Sequence, residues 1–481
     1  MTNETEQIRP LSLHERYSVA RRNSTFPAVV VVAVAYPSSS VLPSQPSLEN
    51  RIIELQRHFP LLYSSVEGVR TTKPYFKSRD EIWSPSEILF STTYMPKADA
   101  KEELAEVFGE EPYVLGRKQD FWSGPAWQVR MHTHPESESS RAYLTLAIDH
   151  IYNDGRGLLA LLEFLLADDI SSLPYEKLSE IPRVEDTISM KPTMGYFLPI
   201  VFDKLLLPKL PNFIQPYFKK PTPWPSTVIR QSPVDCPPAQ TLISLPLDLI
   251  TNLKLVSKEH GIKTLHGLLK AAFMVSVWSV YRYTLTPFIV RGSTPRSERT
   301  STLGHALCTG NYVSSHKVDI PMDGKDDFWV IAKKVADELI DPQAMQTGRM
   351  DMGMLAWVPD GEFDPPHEDP RRVTKWEDFF LSGAYSPAPF NESVSFSNLG
   401  VTKLPKGADD LIWGQEASPY APPFNASVIG HEGGLRMIVV WKEGSAVIKE
   451  EVEQLKKVFE GVLRKLVEGV DNTTLEVLTK V

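Results

Sequence analysis

With 481 residues the chain is long enough for more than one hydrophobic core, since single cores stop growing at roughly 250–300 residues. A hydrophobic content of 42% and a charged content of 23% fit a soluble globular protein, and a net charge of -9 leaves no overall basic footprint for nucleic acid. Only Cys236 and Cys308 are present, which excludes a disulfide framework and a multi-cysteine zinc site.

In chain order, the opening MTNETEQIRPLSLHERYSVARR lacks the apolar region of a signal peptide, so a cytoplasmic location is expected. Phe26 to Tyr36 is too short to span a bilayer, and its β-branched residues predict a buried strand. After a loop rich in Pro and Ser, the residues Ile52, Ile53, Leu55 and Phe59 share one helix face, with Ser47 as cap and Pro60 as stop. Leu61 to Val69 and Trp127 to His132 read as strands. His132 and His134 would share a face, but no third ligand stands at metal spacing, so no metal is expected and both read as surface residues.

Ala142 to Asp149 is an apolar run without Gly or Pro, the pattern of a strand covered on both faces. Beyond it Asp154 and Gly155 form a turn, and leucines from Leu158 to Leu166 recur at helical spacing. His150 therefore stands where a buried strand gives way to a helix, a rigid seat that can still meet a cleft. A histidine there can take a proton from an attacking alcohol or amine. The plainer alternative is a core histidine followed by an aspartate that caps the helix.

The pattern His150-x-x-x-Asp154-Gly155 resembles the signature of the CoA-dependent acyltransferase superfamily, and the chain is most similar to the fungal alcohol acetyltransferase family. The resemblance implies an α/β (α+β), two-lobed, chloramphenicol-acetyltransferase-like fold, each lobe a mixed sheet with flanking helices and a tunnel between them. His150 would be the general base. Asp154 would be structural, in a salt bridge with an arginine of the other lobe, for which Arg299 is the first choice and Arg296 the second.

From Ser171 to Pro246 the prolines thicken, and the expected division is residues 1–185 for the first lobe, 186–246 for a Pro-rich crossover and 247–481 for the second. Tyr196 to Phe218 is apolar, but Asp203, Lys204, Lys209 and the prolines forbid a regular spanning helix, so packing over a lobe is favoured above membrane contact. Two helices follow: one from Leu247 to His260, and one after Thr264 that is apolar nearly all round. A strand covers Phe288 to Arg291, and Gly310-Asn311-Tyr312 resembles the family's turn into the next strand.

Gly353 to Pro389 reads as an irregular excursion. Ser397-Asn398-Leu399-Gly400 resembles a segment of these acyltransferases, and Ser397 and Asn398 are candidates to face an oxyanion or substrate; a polar strand exit is the equal alternative. Of the family's later aromatic-glycine block only Trp413 and Gly414 are present, so no role is assigned to them. A hairpin turns at His431, and an amphipathic helix from Val447 to Leu466 ends the pattern.

The resemblance implies an O-acyltransferase that moves an acetyl group from acetyl-CoA, a co-substrate and not a bound cofactor, to a small-molecule alcohol. An N-acyltransferase or condensation-type enzyme using the same histidine is one alternative; a non-catalytic two-lobed binding protein is another. A monomer is expected.

Overall fold

The computed structural model describes residues 8–40, 42–134, 140–218, 220–300 and 304–480. Among them the strands form three sheets. The first has the order Asp410–Gln415, Val29–Tyr36, Ala142–Asp149, Trp127–Thr133, Leu89–Thr93. The second has the order Val313–Pro321, Ile289–Ser297, Val394–Val401, Phe424–His431, Gly434–Lys442, Pro238–Leu245. A small third sheet joins Ile8–Pro10, Tyr75–Ser78 and Ser64–Glu67. Both large sheets mix parallel and antiparallel pairs and carry helices, giving the two-lobed α/β architecture expected.

Val29–Tyr36, VVVVAVAY, is buried along its whole length. Because side chains alternate across a strand, Val30, Val32, Val34 and Tyr36 enter one core with Ile52, Leu55 and Leu158. Val29, Val31, Ala33 and Ala35 enter another with Phe108, Ile438 and Val440, which ties the first sheet to the second. The His150 strand lies beside it in antiparallel register, Val29 opposite Asp149, so the strand end that presents His150 is fixed by its neighbour. In the second lobe the helix Leu265–Tyr281 is buried on almost every side, as its sequence predicts.

Two strands cross the boundaries read from the sequence. Asp410–Gln415 lies in the 247–481 portion yet completes the first sheet, where Trp413 faces Val32. Leu411 and Trp413 fill the first lobe's core, a long-range match that no local pattern displays. Pro238–Leu245, placed in the crossover, is an edge strand of the second sheet, with Pro238 tolerated because it is the first residue.

Other elements also differ. Leu61 to Val69 is a strand only over Ser64–Glu67, because Pro60–Tyr63 forms a short turn of helix. The helix Gln45–His58 starts two residues before Ser47, and Ser44 caps it. The strand Ile289–Ser297 extends six residues past the Arg291 end expected, so it contains Arg296. The Gly353 to Pro389 region includes a helix, Lys375–Ala384, closed by a capping box between Thr374 and Glu377. His132 is fully buried, with Nε2 3.2 Å from Glu111 Oε1, and not a surface residue. Tyr196 to Phe218 is not tucked over a lobe either: Leu198, Leu205, Leu206, Phe213 and Tyr217 are each more than half exposed.

Candidate active site

His150 follows the last residue of its strand, and its backbone N–H donates to the Ala28 carbonyl at 2.7 Å, which continues the strand pairing by one residue. Just before it, Asp149 accepts from Arg22 Nε at 2.8 Å and Nη2 at 2.5 Å, and from the Ile151 N–H at 2.9 Å. The backbone on both sides of the imidazole is thus held by buried, charge-assisted bonds.

Asp154 caps the helix Gly155–Leu166 by accepting from the Gly157 N–H at 3.0 Å. Its other oxygen takes the Tyr312 N–H at 2.9 Å and Arg299 Nη1 at 2.7 Å. Burial pushes this carboxyl up, but Arg299 and the two N–H donors outweigh it and hold Asp154 below the ordinary carboxylate range. Arg299 also donates to the carbonyls of Leu307 and, at 2.7 Å, Gly310. One guanidinium therefore fastens the loop before Tyr312 onto the start of the helix. Arg296 is directed elsewhere, toward the Leu339 carbonyl at 3.4 Å, and Arg291 pairs with Asp319 at 2.6 Å.

Gly155 has a steric reason. A Cβ there would lie 2.7 Å from the Trp413 ring and 3.1 Å from Leu399, both from the far half of the chain. Trp413 is fixed in turn by donating from its indole N–H to Val428 O at 2.8 Å. Leu399 belongs to the Ser397 to Gly400 segment, and its carbonyl accepts from Arg156 at 3.2 Å, so this segment abuts the first turn of the helix. Ser397 is buried inside the strand Val394–Val401. Asn398 Oδ1 accepts from the Gly400 N–H at 2.7 Å, closing a turn at a glycine with φ of 84°.

The sequence gives no hint of His14. It lies in the helix Leu13–Asn23, and its ring centroid is 4.9 Å from that of His150. The Ser12-x-x-Glu15 capping box makes the helix start legible, but nothing local brings its first turn to His150. Asn311 joins the two rings. Its amide nitrogen lies 2.6 Å from His14 Nδ1, 2.6 Å from the His150 carbonyl oxygen and 3.2 Å from His150 Nδ1. An amide nitrogen has two protons, and the two short contacts use both. His150 Nδ1 then receives no donated proton, and its own backbone carbonyl favours a proton on the ring. Hydrogen-bond counting thus assigns the tautomer with Nε2 unprotonated.

Burial is the largest influence on both imidazoles. It pushes His150 below the ordinary histidine value, with Arg21 adding to the effect and Asp154 opposing it. His14 is pushed well below, by burial first and then by His150 and Arg21. Both rings are therefore neutral at neutral pH, and His150 keeps partial exposure. A cavity of about 610 Å³ opens beside this helix start, within the range of small-molecule pockets. Its walls include Leu13, Met190 and Trp357, but not His150. Cys308 is buried and its thiol is pushed up to about 11, chiefly by burial, so little thiolate is present at neutral pH. Among the described residues no group of three or more His, Cys, Asp or Glu is placed to hold a metal ion.

The fold is the two-lobed one of condensation domains and acyltransferases. The cyclization-docking bidomain of a nonribosomal peptide synthetase from Sorangium cellulosum superposes with a TM-score of 0.65 at 17% identity, over 97% of this chain and 85% of that one. The condensation domain of the monacolin K polyketide synthase gives 0.63 at 12% identity, over 97% and 98%. The trichothecene 15-O-acetyltransferase of Fusarium sporotrichioides gives 0.57 at 12% identity, over 96% and 95%. No family model matches the sequence. No curated protein matches it either.

Proposed function

We propose that the protein is an acyltransferase in which His150 acts as general base, and that its reaction is transfer of an acetyl group from acetyl-CoA to an alcohol. The observation that carries this reading is the hydrogen-bond economy around Asn311, which leaves His150 Nε2 with a free lone pair on a neutral, partly exposed imidazole. Nε2 takes the hydroxyl proton as the oxygen attacks the thioester carbonyl carbon. When the tetrahedral intermediate collapses, the C–S bond breaks and the imidazolium returns the proton to the departing thiolate. Burial favours the neutral ring before the reaction, and the carboxylates of Asp149 and Asp154 favour the charged one during it. Asp154 is a structural member of the site, held by Arg299.

The same base would serve an amine. A condensation-type reaction is the second reading, favoured by the likeness to two synthase-derived domains. Incubation of the purified protein with acetyl-CoA and a panel of alcohols and amines, following free thiol, tests both. Thiol release with alcohols supports the first reading, release with amines alone the second, and no release with any acceptor favours a non-catalytic binding protein. His150→Ala should lower turnover by about 10² to 10⁴; a variant that keeps wild-type turnover would remove His150 from the mechanism.

A further inference from the structure

Residues 190–218 and 220 form a projection clamped to the body at its base. Phe197 lies against Trp357 with ring centroids 4.4 Å apart, Tyr196 Oη donates to Asp351 at 3.3 Å, and the Thr193 N–H reaches Met350 at 3.5 Å. Beyond the base the segment packs mainly on itself. The rings of Phe202 and Phe218 are 5.6 Å apart, Gln215 donates to Leu210 O at 2.9 Å, and Lys220 meets Asp203 at 3.4 Å. Its helices are short and broken by prolines, Met194–Val201 and Gln215–Phe218 with tighter and wider turns between them.

What this projection offers to solvent is mostly apolar. Met194, Leu198, Leu205, Leu206, Phe213 and Tyr217 each expose more than half of their surface. Scattered exposed hydrophobics are ordinary, but so many large ones on one short segment mark an interaction surface. The charges among them have one dominant sign: Lys191, Lys204, Lys209 and Lys220 are exposed, and Asp203 is the span's only acidic residue. The chain as a whole carries -9. A basic, aromatic and leucine-rich island on an acidic protein is complementary to a surface both apolar and negative. No helix among the described residues is long and apolar enough to cross a bilayer.

We infer that this projection seats the protein on membranes carrying anionic lipid, with its leucines and aromatic rings in the interface and Lys204, Lys209 and Lys220 among the headgroups. The base of the same projection, Met190 to Pro192, walls the 610 Å³ cavity beside Leu13. A docked protein thus holds that cavity near lipid, where, if the acyl-transfer reading holds, apolar alcohols would be concentrated. Lipid binding itself does not rest on that reading and is measured without turnover.

The test is flotation of the full chain with phosphatidylcholine vesicles, with and without phosphatidylserine, beside Leu205→Glu/Phe213→Glu and Lys204→Glu/Lys209→Glu variants. Both pairs alter exposed side chains, so the fold should stay intact, checked by circular dichroism. Binding should require phosphatidylserine, weaken as salt rises, fall more than tenfold in the first variant, and fall at least about fivefold per lysine in the second. Three outcomes would overturn the inference: no flotation with phosphatidylserine vesicles, flotation indifferent to both variants, or a self-association in ultracentrifugation that Leu205→Glu/Phe213→Glu abolishes while vesicle binding is absent.

Discussion

Removing the Asp154 carboxylate should cost the protein stability to a degree that separates a structural role from a catalytic one. The side chains of Asp154 and Arg299 are only 2% and 6% exposed, so the small values typical of surface ion pairs do not apply. Leaving Arg299 buried without its partner costs about 3–5 kcal/mol. Loss of the helix cap on Gly157 adds about 1 kcal/mol in Asp154→Ala, although neighbouring effects add imperfectly. Asp154→Asn keeps an N-capping side chain and should recover about that last increment. Against the roughly 5–15 kcal/mol that holds a typical domain, Asp154→Ala should express poorly and unfold at much lower urea. The double variant Asp154→Asn/Arg299→Met should cost less than the sum of its parts, because neither charge is then left buried. The measurement is urea unfolding at pH 7 by tryptophan fluorescence. The Asp154 value is held below its ordinary 3.8, so its contribution is present above that value and is lost only as pH falls through the lower folded value. An Asp154→Ala protein within about 1 kcal/mol of wild type, yet as inactive as His150→Ala, would refute this assignment and make Asp154 a partner of the imidazole.

Three other outcomes are expected. His14→Phe keeps a ring beside His150 but removes the acceptor for Asn311 Nδ2; loss of one hydrogen bond of about 1 kcal/mol predicts roughly a fivefold fall in kcat with KM nearly unchanged, whereas a rise in KM alone would make His14 a binding residue. Because burial lowers His150, the acid limb of kcat/KM should lie below pH 6.5, and a limb above 6.5 would show that another group is the base. His266 and His316 are pulled down to about 3 and about 4, chiefly by burial, with Lys270 adding to both. Their stabilising effect is complete above 6.5 and is lost as pH falls toward those values, so unfolding in urea should grow easier from pH 6 to pH 4. The His266→Phe/His316→Phe protein should show a flatter dependence, and an unchanged slope would place the acid sensitivity elsewhere.

The local half of the site was legible. Apolar Ala142 to Asp149 followed by a turn and periodic leucines located His150 and the capping Asp154, because strand burial and helix capping leave marks within a few residues. Arg299 was reachable only through family resemblance, since no spacing rule ties it to Asp154. Trp413 was read without a role, because its contact with Gly155 depends on a strand from one half of the chain pairing with a strand from the other. His14 leaves no mark in the sequence because only the tertiary fold brings the first turn of the helix Leu13–Asn23 to the end of the Ala142–Asp149 strand. The 194–218 segment shows a different limit: its composition said apolar, but composition does not say whether an apolar segment is covered.

These long-range contacts make the state of the base depend on the loop that Arg299 holds. Asn311 follows Gly310, whose carbonyl accepts from Arg299, and precedes Tyr312, whose N–H donates to Asp154. Displacement of this loop would move Asn311 away from the His150 carbonyl and remove the reason for Nε2 to stay bare. Arg299→Lys should expose that link, because lysine keeps the charge beside Asp154 but lacks the planar fork that also reaches the carbonyls of Leu307 and Gly310. Stability should therefore fall less than in Arg299→Met, where Asp154 is left buried and unpaired. Turnover should fall comparably in the two, since both release the loop. Urea unfolding and steady-state kinetics on the same preparations measure the two effects separately. If Arg299→Lys keeps wild-type kcat while losing as much stability as Arg299→Met, the cation serves only the ion pair and the loop has no hold on the base.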